Sequence, residues 1–168
     1  EFFGFKHSMI LLVSENKKHL NVLETYGYEK RGIGAKVEFG VGVIGIVAEK
    51  KKLMRMANLG MQRSYMQAIR EQVKITNKNK LQDKVELPGL KNAESQVAIP
   101  MLIDNELVGV LSVESEKMNI FDKSDEILIG ILANQTASAL ENARLYQLEQ
   151  KRLKELNKAH QELESLNI

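Results

Sequence analysis

Two short runs of apolar residues lie near the start of the chain. Ser8–Val13 is a compact, partly β-branched run, and His19–Tyr26 alternates imperfectly between hydrophobic and polar residues. The five residues between them, 14–18, are all polar or charged, which suits a hairpin loop. We therefore expect an antiparallel pair of strands at the start of the fold.

The middle of the chain combines short elements of both kinds. Lys36–Phe39 predicts a short strand, Ile44–Lys51 a short helix and Leu53–Ala57 an edge strand. In Met61–Val73 the apolar residues recur every four positions, which places them on one face of an amphipathic helix. Residues 74–94 are rich in Lys and Asn and predict a loop.

The last part of the chain predicts a hairpin followed by one long helix. Apolar strands flank Asp104 and Asn105, two residue types that accept the positive φ of a tight turn. Between Lys123 and Leu166 there is no proline, and Gly130 is the single glycine. The order of elements favours an α+β fold with a mostly antiparallel central sheet.

The predicted C-terminal helix is longer than the domain that carries it. At about 1.5 Å per residue, Lys123–Leu166 measures about 66 Å. A domain of about 140 residues has a radius of gyration of about 14 Å. The helix should therefore extend past its own domain by several turns.

The end of this helix carries a heptad-like stripe with one extra four-residue step. Such a stutter locally unwinds a supercoil and permits two registers of similar energy. We expect a parallel homodimer, and the alternative is a single amphipathic helix that lies on another neighbour. The stripe consists of Leu145, Leu148, Arg152, Leu156, Ala159, Leu163 and Leu166.

Composition narrows the possible functions. The chain has no cysteine, which excludes disulfides, thiolate nucleophiles and thiolate metal sites. No apolar run approaches the roughly 20 residues of a membrane-spanning helix, and no secretory signal is visible. We expect a cytoplasmic module, cut from a longer protein because it starts at Glu1 rather than Met.

Charge is unevenly distributed, although the formal net charge is only +2. Residues 50–91 are strongly basic and residues 92–168 are acidic. The basic segment contains one aromatic residue, Tyr65, and no recognisable nucleic-acid motif. It therefore suits a solvated loop, or a lid over an anionic ligand, better than a nucleic-acid surface.

Motifs that usually indicate catalysis have structural explanations here. Gly40–Gly45 matches the dinucleotide-binding pattern, but no acid follows between Glu49 and Glu71 to hold a ribose. The three histidines are scattered and predict no metal site. Acids at 122, 125 and 126 stand where a helix start favours capping and negative charge. We predict no catalytic and no metal-binding residues.

Several motifs in fixed order resemble a GAF domain over roughly residues 5–146. The resemblance implies a six-stranded antiparallel sheet with helices on one face and a small-molecule pocket on the other, roofed by the segment before Pro100. It also implies a regulatory module of signalling proteins, some of which bind cyclic nucleotides. We take 1–146 as the sensory domain and 147–168 as a helical linker. The motifs are Phe39–Gly45, Ser95–Pro100, Leu107–Val113, Phe121 with Asp125 and Glu126, and Glu141–Tyr146.

The chain also departs from the family pattern. Cyclic-nucleotide-binding members often carry an Asn-Lys pair where this chain has Glu114 and Ser115. Bilin attachment and free methionine sulfoxide reduction both need a cysteine, which is absent here. Haem would need a histidine in the pocket, and none is convincingly placed. The resemblance therefore leaves the cofactor unknown and predicts that this fragment is not an enzyme.

The predicted pocket has an adaptable apolar wall and basic residues that could meet an anionic group or a nucleotide. Ordinary core packing and solvated arginines are the alternative. The predicted function is a ligand-sensing and dimerisation module that biases a downstream cyclase, kinase or similar domain, and the alternative is a ligand-free dimerisation scaffold. The candidate residues are Met54, Met56, Tyr65, Ile69 and Val113 for the wall, and Arg55, Arg63 and Arg70 for the basic groups.

Overall fold

A computed structural model describes residues 5–29, 31–61, 89–90 and 92–166 of the chain. Of the predicted helix Met61–Val73, only Met61 falls in these ranges, and residues 59–61 are helical. The strands are β1 His7–Val13, β2 His19–Tyr26, β3 Lys36–Glu38, β4 Met54–Met56, β5 Ser95–Ile103 and β6 Glu106–Ser115. The helices with assigned bounds are α1 Gly42–Lys50 and α2 Lys123–Leu166.

The strands form one antiparallel sheet in the order β3-β2-β1-β6-β5-β4. The two hairpins, β1–β2 and β5–β6, lie side by side because β1 also pairs with β6. The short strands β3 and β4 therefore occupy the two edges. This architecture confirms the expected α+β fold with six antiparallel strands.

Each face of the sheet carries its own hydrophobic core. On one face α2 buries Ile129, Ala133 and Ala137 against β5 and β6. On the other face α1 buries Ile44 and Val47 over β5 and β6, in a core that also contains residues of β1 and β2. Helices thus cover both faces, which differs from the expectation of helices on one face only.

The β5–β6 hairpin closes through a tight turn. The turn residues Asp104 and Asn105 have φ values of 47° and 68°, as a tight turn requires.

The short pairing of β4 explains the unusual position of Pro100. β4 pairs with β5 only from Gln96 to Ala98. Pro100 lies just past this pairing, so its missing N–H removes no hydrogen bond to β4.

The glycines at 40–45 build the turn from β3 into α1. Gly40 and Gly42 have φ values of 79° and 65°, a region that favours glycine. A Cβ atom on Gly45 would overlap the carbonyl oxygen of Glu38. The glycines thus form a tight strand-to-helix turn, and α1 begins at Gly42 rather than at the predicted Ile44.

The helix α2 runs over 44 residues, with the bounds that the sequence predicts. Its contacts with the sheet come from its first half, where Leu132 and Leu140 pack beside the buried residues. Side chains 142–149 and 151–166 are all exposed. The second half of α2 therefore extends away from the core.

Candidate ligand-binding face and helix junction

A row of partly polar side chains crosses one end of the sheet. The register aligns Met56 with Gln96, Gln96 with Glu114, and Glu114 with His7. By strand alternation these four residues share the face that carries α1. We call Met56, Gln96, Glu114 and His7 the polar row.

Hydrogen bonds connect the polar row to its surroundings. The Gln96 Nε2 atom donates to Ser112 Oγ at 2.9 Å, and both side chains are buried. The Tyr28 hydroxyl donates to Glu114 Oε2 at 3.1 Å, and the Tyr28 ring lies 5.6 Å from the ring of His7. A buried amide and hydroxyl, from Gln96 and Ser112, and a half-buried phenol and carboxylate, from Tyr28 and Glu114, give this end of the sheet a hydrogen-bonding character.

Burial and the neighbouring carboxylate keep Tyr28 neutral. Desolvation raises the pKa of the Tyr28 hydroxyl far above its usual range, and the charge of Glu114 raises it further. A neutral phenol can donate its proton to Glu114 without competition from ionisation. Tyr28 thus acts as a fixed donor on the polar row.

The chain enters and leaves the segment 62–88 beside this row. On one side the Leu59 N–H donates to the Glu94 carbonyl at 2.8 Å. On the other side the Leu90 N–H donates to Glu114 Oε2 at 3.1 Å. Both boundaries of that segment are therefore anchored at the same end of the sheet.

The structure separates the predicted pocket residues. Met54 packs on the α1 side of the sheet, and Met56 belongs to the polar row on the same face. Val113 is only 3% exposed and lies in the core under α2, on the opposite face. Val113 pairs with Val97, which pairs with Arg55, so Val113 lies on the face opposite to Met54 and Met56. Tyr65, Ile69, Arg63 and Arg70 lie outside the described residues.

Arg55 lies on the face opposite to Met54 and Met56. Its Nε atom is 3.1 Å from Glu126 Oε1, and its guanidinium donates to the Phe121 carbonyl at 2.9 Å. These contacts bind Arg55 to the start of α2. They do not support the expectation that Arg55 meets an anionic ligand beside the methionines.

The start of α2 is capped by its own acids, as the sequence predicts. Asp122 Oδ1 accepts from the N–H groups of Ser124 at 2.7 Å and Asp125 at 3.0 Å. Asp125 Oδ2 accepts in return from the N–H of Asp122 at 2.9 Å. This reciprocal pattern is a capping box and fixes the direction in which α2 begins.

Glu126 follows the cap and is almost fully buried. The hydrogen bond from Lys123 at 2.7 Å lowers the pKa of the Glu126 carboxyl, and the charges of Lys123 and Arg55 lower it further. The Asn119 N–H also donates to the Ala57 carbonyl at 2.9 Å. The helix junction, defined as Arg55, Ala57, Asn119, Phe121 and Glu126, thus joins β4 to α2.

A groove of about 320 Å³ lies at the end of the sheet next to this junction. Its lining includes Phe5 and Phe121, whose ring centroids are 6.1 Å apart. Charged groups of both signs, such as Lys6 and Asp125, also line it. The groove therefore carries no single charge preference.

Sequence reasoning missed most of the polar row. The sequence marked Glu114 only as a departure from the family pattern, and His7 only as one of three scattered histidines. A signal was present: Ser112 and Glu114 are polar at alternate positions of an otherwise apolar strand. Polar residues at inward-facing positions of a buried strand indicate a site or a buried network.

Two further features bear on chemistry. Within the described ranges no group of three or more His, Cys, Asp and Glu is placed to hold a metal ion. In the same ranges no helix combines the length and the apolar character needed to cross a membrane. Neither the polar row nor the helix junction forms a catalytic constellation.

Comparison with known proteins identifies the family. The GAF domain of an Acinetobacter phosphoenolpyruvate-protein phosphotransferase superposes with a TM-score of 0.64 at 16% identity, covering 84% of this chain and 74% of that chain. The GAF domain of the Coxiella burnetii phosphoenolpyruvate-protein phosphotransferase superposes with a TM-score of 0.62 at 18% identity, covering 84% of this chain and 75% of that chain. A free methionine-R-sulfoxide reductase from Neisseria meningitidis, solved with its substrate, superposes with a TM-score of 0.60 at 20% identity. This match covers 86% of this chain and 72% of that chain. No curated protein sequence matches. Because the GAF-domain family model matches residues 1–141, the chain belongs to the GAF domain family.

Proposed function

We propose that this GAF domain is a regulatory ligand-sensing and dimerisation module of a larger signalling protein. Binding of a small molecule at the polar row would bias α2 and, through it, a downstream output domain such as a cyclase or kinase. The observation that carries the proposal is the position of β4. Met56 belongs to the polar row, whereas the preceding residue, Arg55, binds the start of α2.

The groups on the polar row favour a polar ligand with both donors and acceptors. Gln96, Ser112, Tyr28 and Glu114 offer an amide, two hydroxyls and a carboxylate within one end of the sheet. A nucleotide base or an amino-acid-like metabolite has this character. The Neisseria neighbour was solved with its substrate, which supports a small-molecule site in this fold. Arg63 and Arg70 stay candidate partners for an anionic group of the ligand.

We propose a regulatory rather than a catalytic role. The chain has no cysteine, so it lacks a thiol for the reductase chemistry by which several structural neighbours are named. The polar row contains hydrogen-bonding groups without an adjacent nucleophile and base. Recognition followed by a shift of α2 needs no further chemistry.

We further propose that α2 pairs with α2 of a second copy in parallel. Ile127 and Ile131 are 59% and 51% exposed although they lie on the part of α2 that packs on the sheet. At 3.6 residues per turn they lie on the same side of the helix as Leu145. The positions between them on that side, such as Asn134 and Ser138, are polar, so the proposed apolar contact has two parts, one over the domain and one from Leu145 onward. The residues proposed to meet in the dimer are Ile127, Ile131, Leu145, Leu148, Leu156, Ala159, Leu163 and Leu166.

One observation favours the alternative of a ligand-free scaffold. Glu114 already accepts hydrogen bonds from Tyr28 and from the Leu90 N–H, and Gln96 already donates to Ser112. A network that satisfies itself needs no ligand to offset its burial. In a scaffold, α2 would space two domains without responding to a small molecule.

A thermal-shift screen separates the two functions. Cyclic nucleotides, nucleosides and amino-acid derivatives would be tested at up to millimolar concentration on the full chain. Sensing predicts a saturable rise in Tm for at least one compound, because a ligand that binds the native state stabilises it. Ser112→Ala should reduce the shift, and the exposed Ser138→Ala should leave it unchanged. No shift with any compound would contradict sensing and favour the scaffold.

A further inference from the structure

Arg55 makes two contacts that cross from the edge of the sheet to the start of α2. Its Nε atom lies 3.1 Å from Glu126 Oε1, and it donates to the carbonyl oxygen of Phe121 at 2.9 Å. Phe121 precedes the capping residue Asp122, and Glu126 lies in the first turn of α2. One side chain therefore holds both sides of the helix cap.

The guanidinium is well suited to this double contact. Its planar fork presents several N–H donors in fixed directions, whereas an ammonium is a single mobile point charge. Lys123 also reaches Glu126, but its side chain is 81% exposed and its charge is screened by water. Arg55 is thus the partner that ties the buried carboxylate to the sheet.

The opposite side of β4 faces the polar row. Met54 and Met56 lie on that face, and Met56 pairs with Gln96. β4 is a three-residue edge strand held by β5 on one side only. Short edge strands are easily displaced because few backbone hydrogen bonds hold them. A change at the polar row would therefore reach α2 by the route through β4.

We infer that Arg55 is the positioning residue that couples β4 to the first turn of α2. When β4 moves, Arg55 carries the Phe121 carbonyl and the Glu126 carboxylate with it and so changes the direction in which α2 leaves the domain. This inference rests on the proposed function. It gives a physical path by which ligand binding would alter the geometry of the helix.

Coupling is reciprocal, so it can be measured from the helix end without a ligand. Asp122→Ala removes the helix cap, an exposed side chain that accepts from the N–H groups of Ser124 and Asp125. Uncapping should raise local opening at the start of α2 about fivefold. Amide hydrogen exchange of the full chain would then be followed in the peptide that contains residues 54–57.

In the wild-type background we expect Asp122→Ala to speed amide exchange at residues 54–57 about fivefold. This equals the increase in opening expected at the start of α2, as complete coupling requires. In the Arg55→Gln background the same change should leave exchange at 54–57 within about twofold. Arg55→Lys keeps the charge but loses the fork, so it should retain only part of the response. If Arg55→Gln does not fold, Glu126→Gln replaces it, because it keeps the shape and removes the charge.

Two controls isolate the path through Arg55. Arg144→Gln removes a similar Arg–Glu pair, with Glu141 at 2.6 Å, within α2 itself, and should preserve the full response at 54–57. Ser138→Gly weakens α2 far from the start of the helix, so it should not alter exchange at residues 54–57. The inference is overturned if Asp122→Ala leaves exchange at 54–57 unchanged in the wild-type background, or changes it equally in Arg55→Gln.

These outcomes are separate from those of the proposed function. The exchange experiment uses neither a ligand nor a dimer. A response that depends on Arg55, together with a screen that yields no stabilising compound, would keep the coupling and reject sensing. A stabilising compound without an Arg55-dependent response would keep sensing and reject this path.

Discussion

Glu126 carries a negative charge in a nearly buried position at the start of α2. Burial alone would favour the protonated carboxyl, but the hydrogen bond from Lys123 and the charges of Lys123 and Arg55 outweigh it. The result is a carboxyl with a lowered pKa in the folded protein. The positive end of the helix dipole acts in the same direction.

Acid should therefore weaken the fold through Glu126. A carboxyl with a lowered folded pKa contributes stability above its unfolded pKa of about 4.3, and this is lost as pH falls through the folded value. Urea unfolding between pH 7 and pH 3 should show a steeper loss for wild type than for Glu126→Gln. Glu162→Gln, which removes an exposed pair with Lys158, should follow the wild-type slope. Parallel curves for all three proteins would refute this role of Glu126.

Tyr28 should make the fold sensitive to high pH, whereas Glu126 makes it sensitive to acid. Its raised pKa favours the neutral phenol, so its contribution is intact below the unfolded pKa of about 10 and is lost as pH rises above that value. At neutral pH the free energy of unfolding of Tyr28→Phe should be about 1–2 kcal/mol lower than that of wild type, because the hydrogen bond to Glu114 is gone. As pH rises above about 10, the free energy of unfolding should fall less for Tyr28→Phe than for wild type. Tyr146→Phe, at a residue 63% exposed, is the control and should change neither. Equal alkaline sensitivity in Tyr28→Phe and wild type would contradict the assignment.

The face on which a residue lies could not be read from the sequence at β4 and β6. A one-residue change of register moves every side chain to the other face. β4 has only three residues, Met54–Met56, too few to show an alternating pattern. In β6 both sets of alternate positions carry apolar residues, so Val113 could be assigned to either core. Arg55 and Val113 were misplaced for this reason.

Replacing each of two helix glycines by alanine should change the stability of the fold in opposite directions. Gly45→Ala would place a Cβ on the Glu38 carbonyl, so we expect a loss of about 1–3 kcal/mol. Gly130→Ala adds a Cβ to α2 where no atom lies within 4 Å, so we expect a gain of about 0.5–1 kcal/mol. Chemical unfolding of both variants measures the difference. Similar changes in stability would show that the close approach at Gly45 is not needed.

Arg152 interrupts the apolar stripe at the extra four-residue step. Burying a charged residue between two helices is costly, so Arg152→Leu should tighten the dimer by about tenfold or more. Lys154→Leu lies on the opposite side of the helix and should leave the dissociation constant unchanged. Sedimentation equilibrium would measure both. A dissociation constant that Arg152→Leu does not lower would place the dimer contact elsewhere.

The elements with strong local signals were predicted well. The bounds of α2 follow from its unbroken run without proline and from the capping acids before it. The β5–β6 turn follows from Asp104 and Asn105. The start of α1 was placed two residues late because Gly42, with its positive φ, is a poor helix former. The polar row depends on pairing between distant strands, which no local pattern encodes.

At the scale of the whole molecule, the sheet places the proposed ligand face and the helix on opposite sides. The polar row shares its face with α1, whereas α2 packs on the other face. The path between them runs around the sheet edge through β4 and the helix junction. From there α2 carries any change of direction along its exposed second half. We propose that this second half pairs with α2 of a second copy.

Site-directed disulfide cross-linking tests this claim most directly, because the chain has no cysteine of its own. In a parallel, in-register dimer the two copies of residue 163 face each other across the stripe, whereas the two copies of residue 154 point away. We predict that Leu163→Cys forms a disulfide-linked dimer rapidly under mild oxidation at micromolar concentration, while Lys154→Cys forms almost no disulfide link between its subunits. No linkage at Leu163→Cys, or equal linkage at both positions, would contradict the parallel helix dimer.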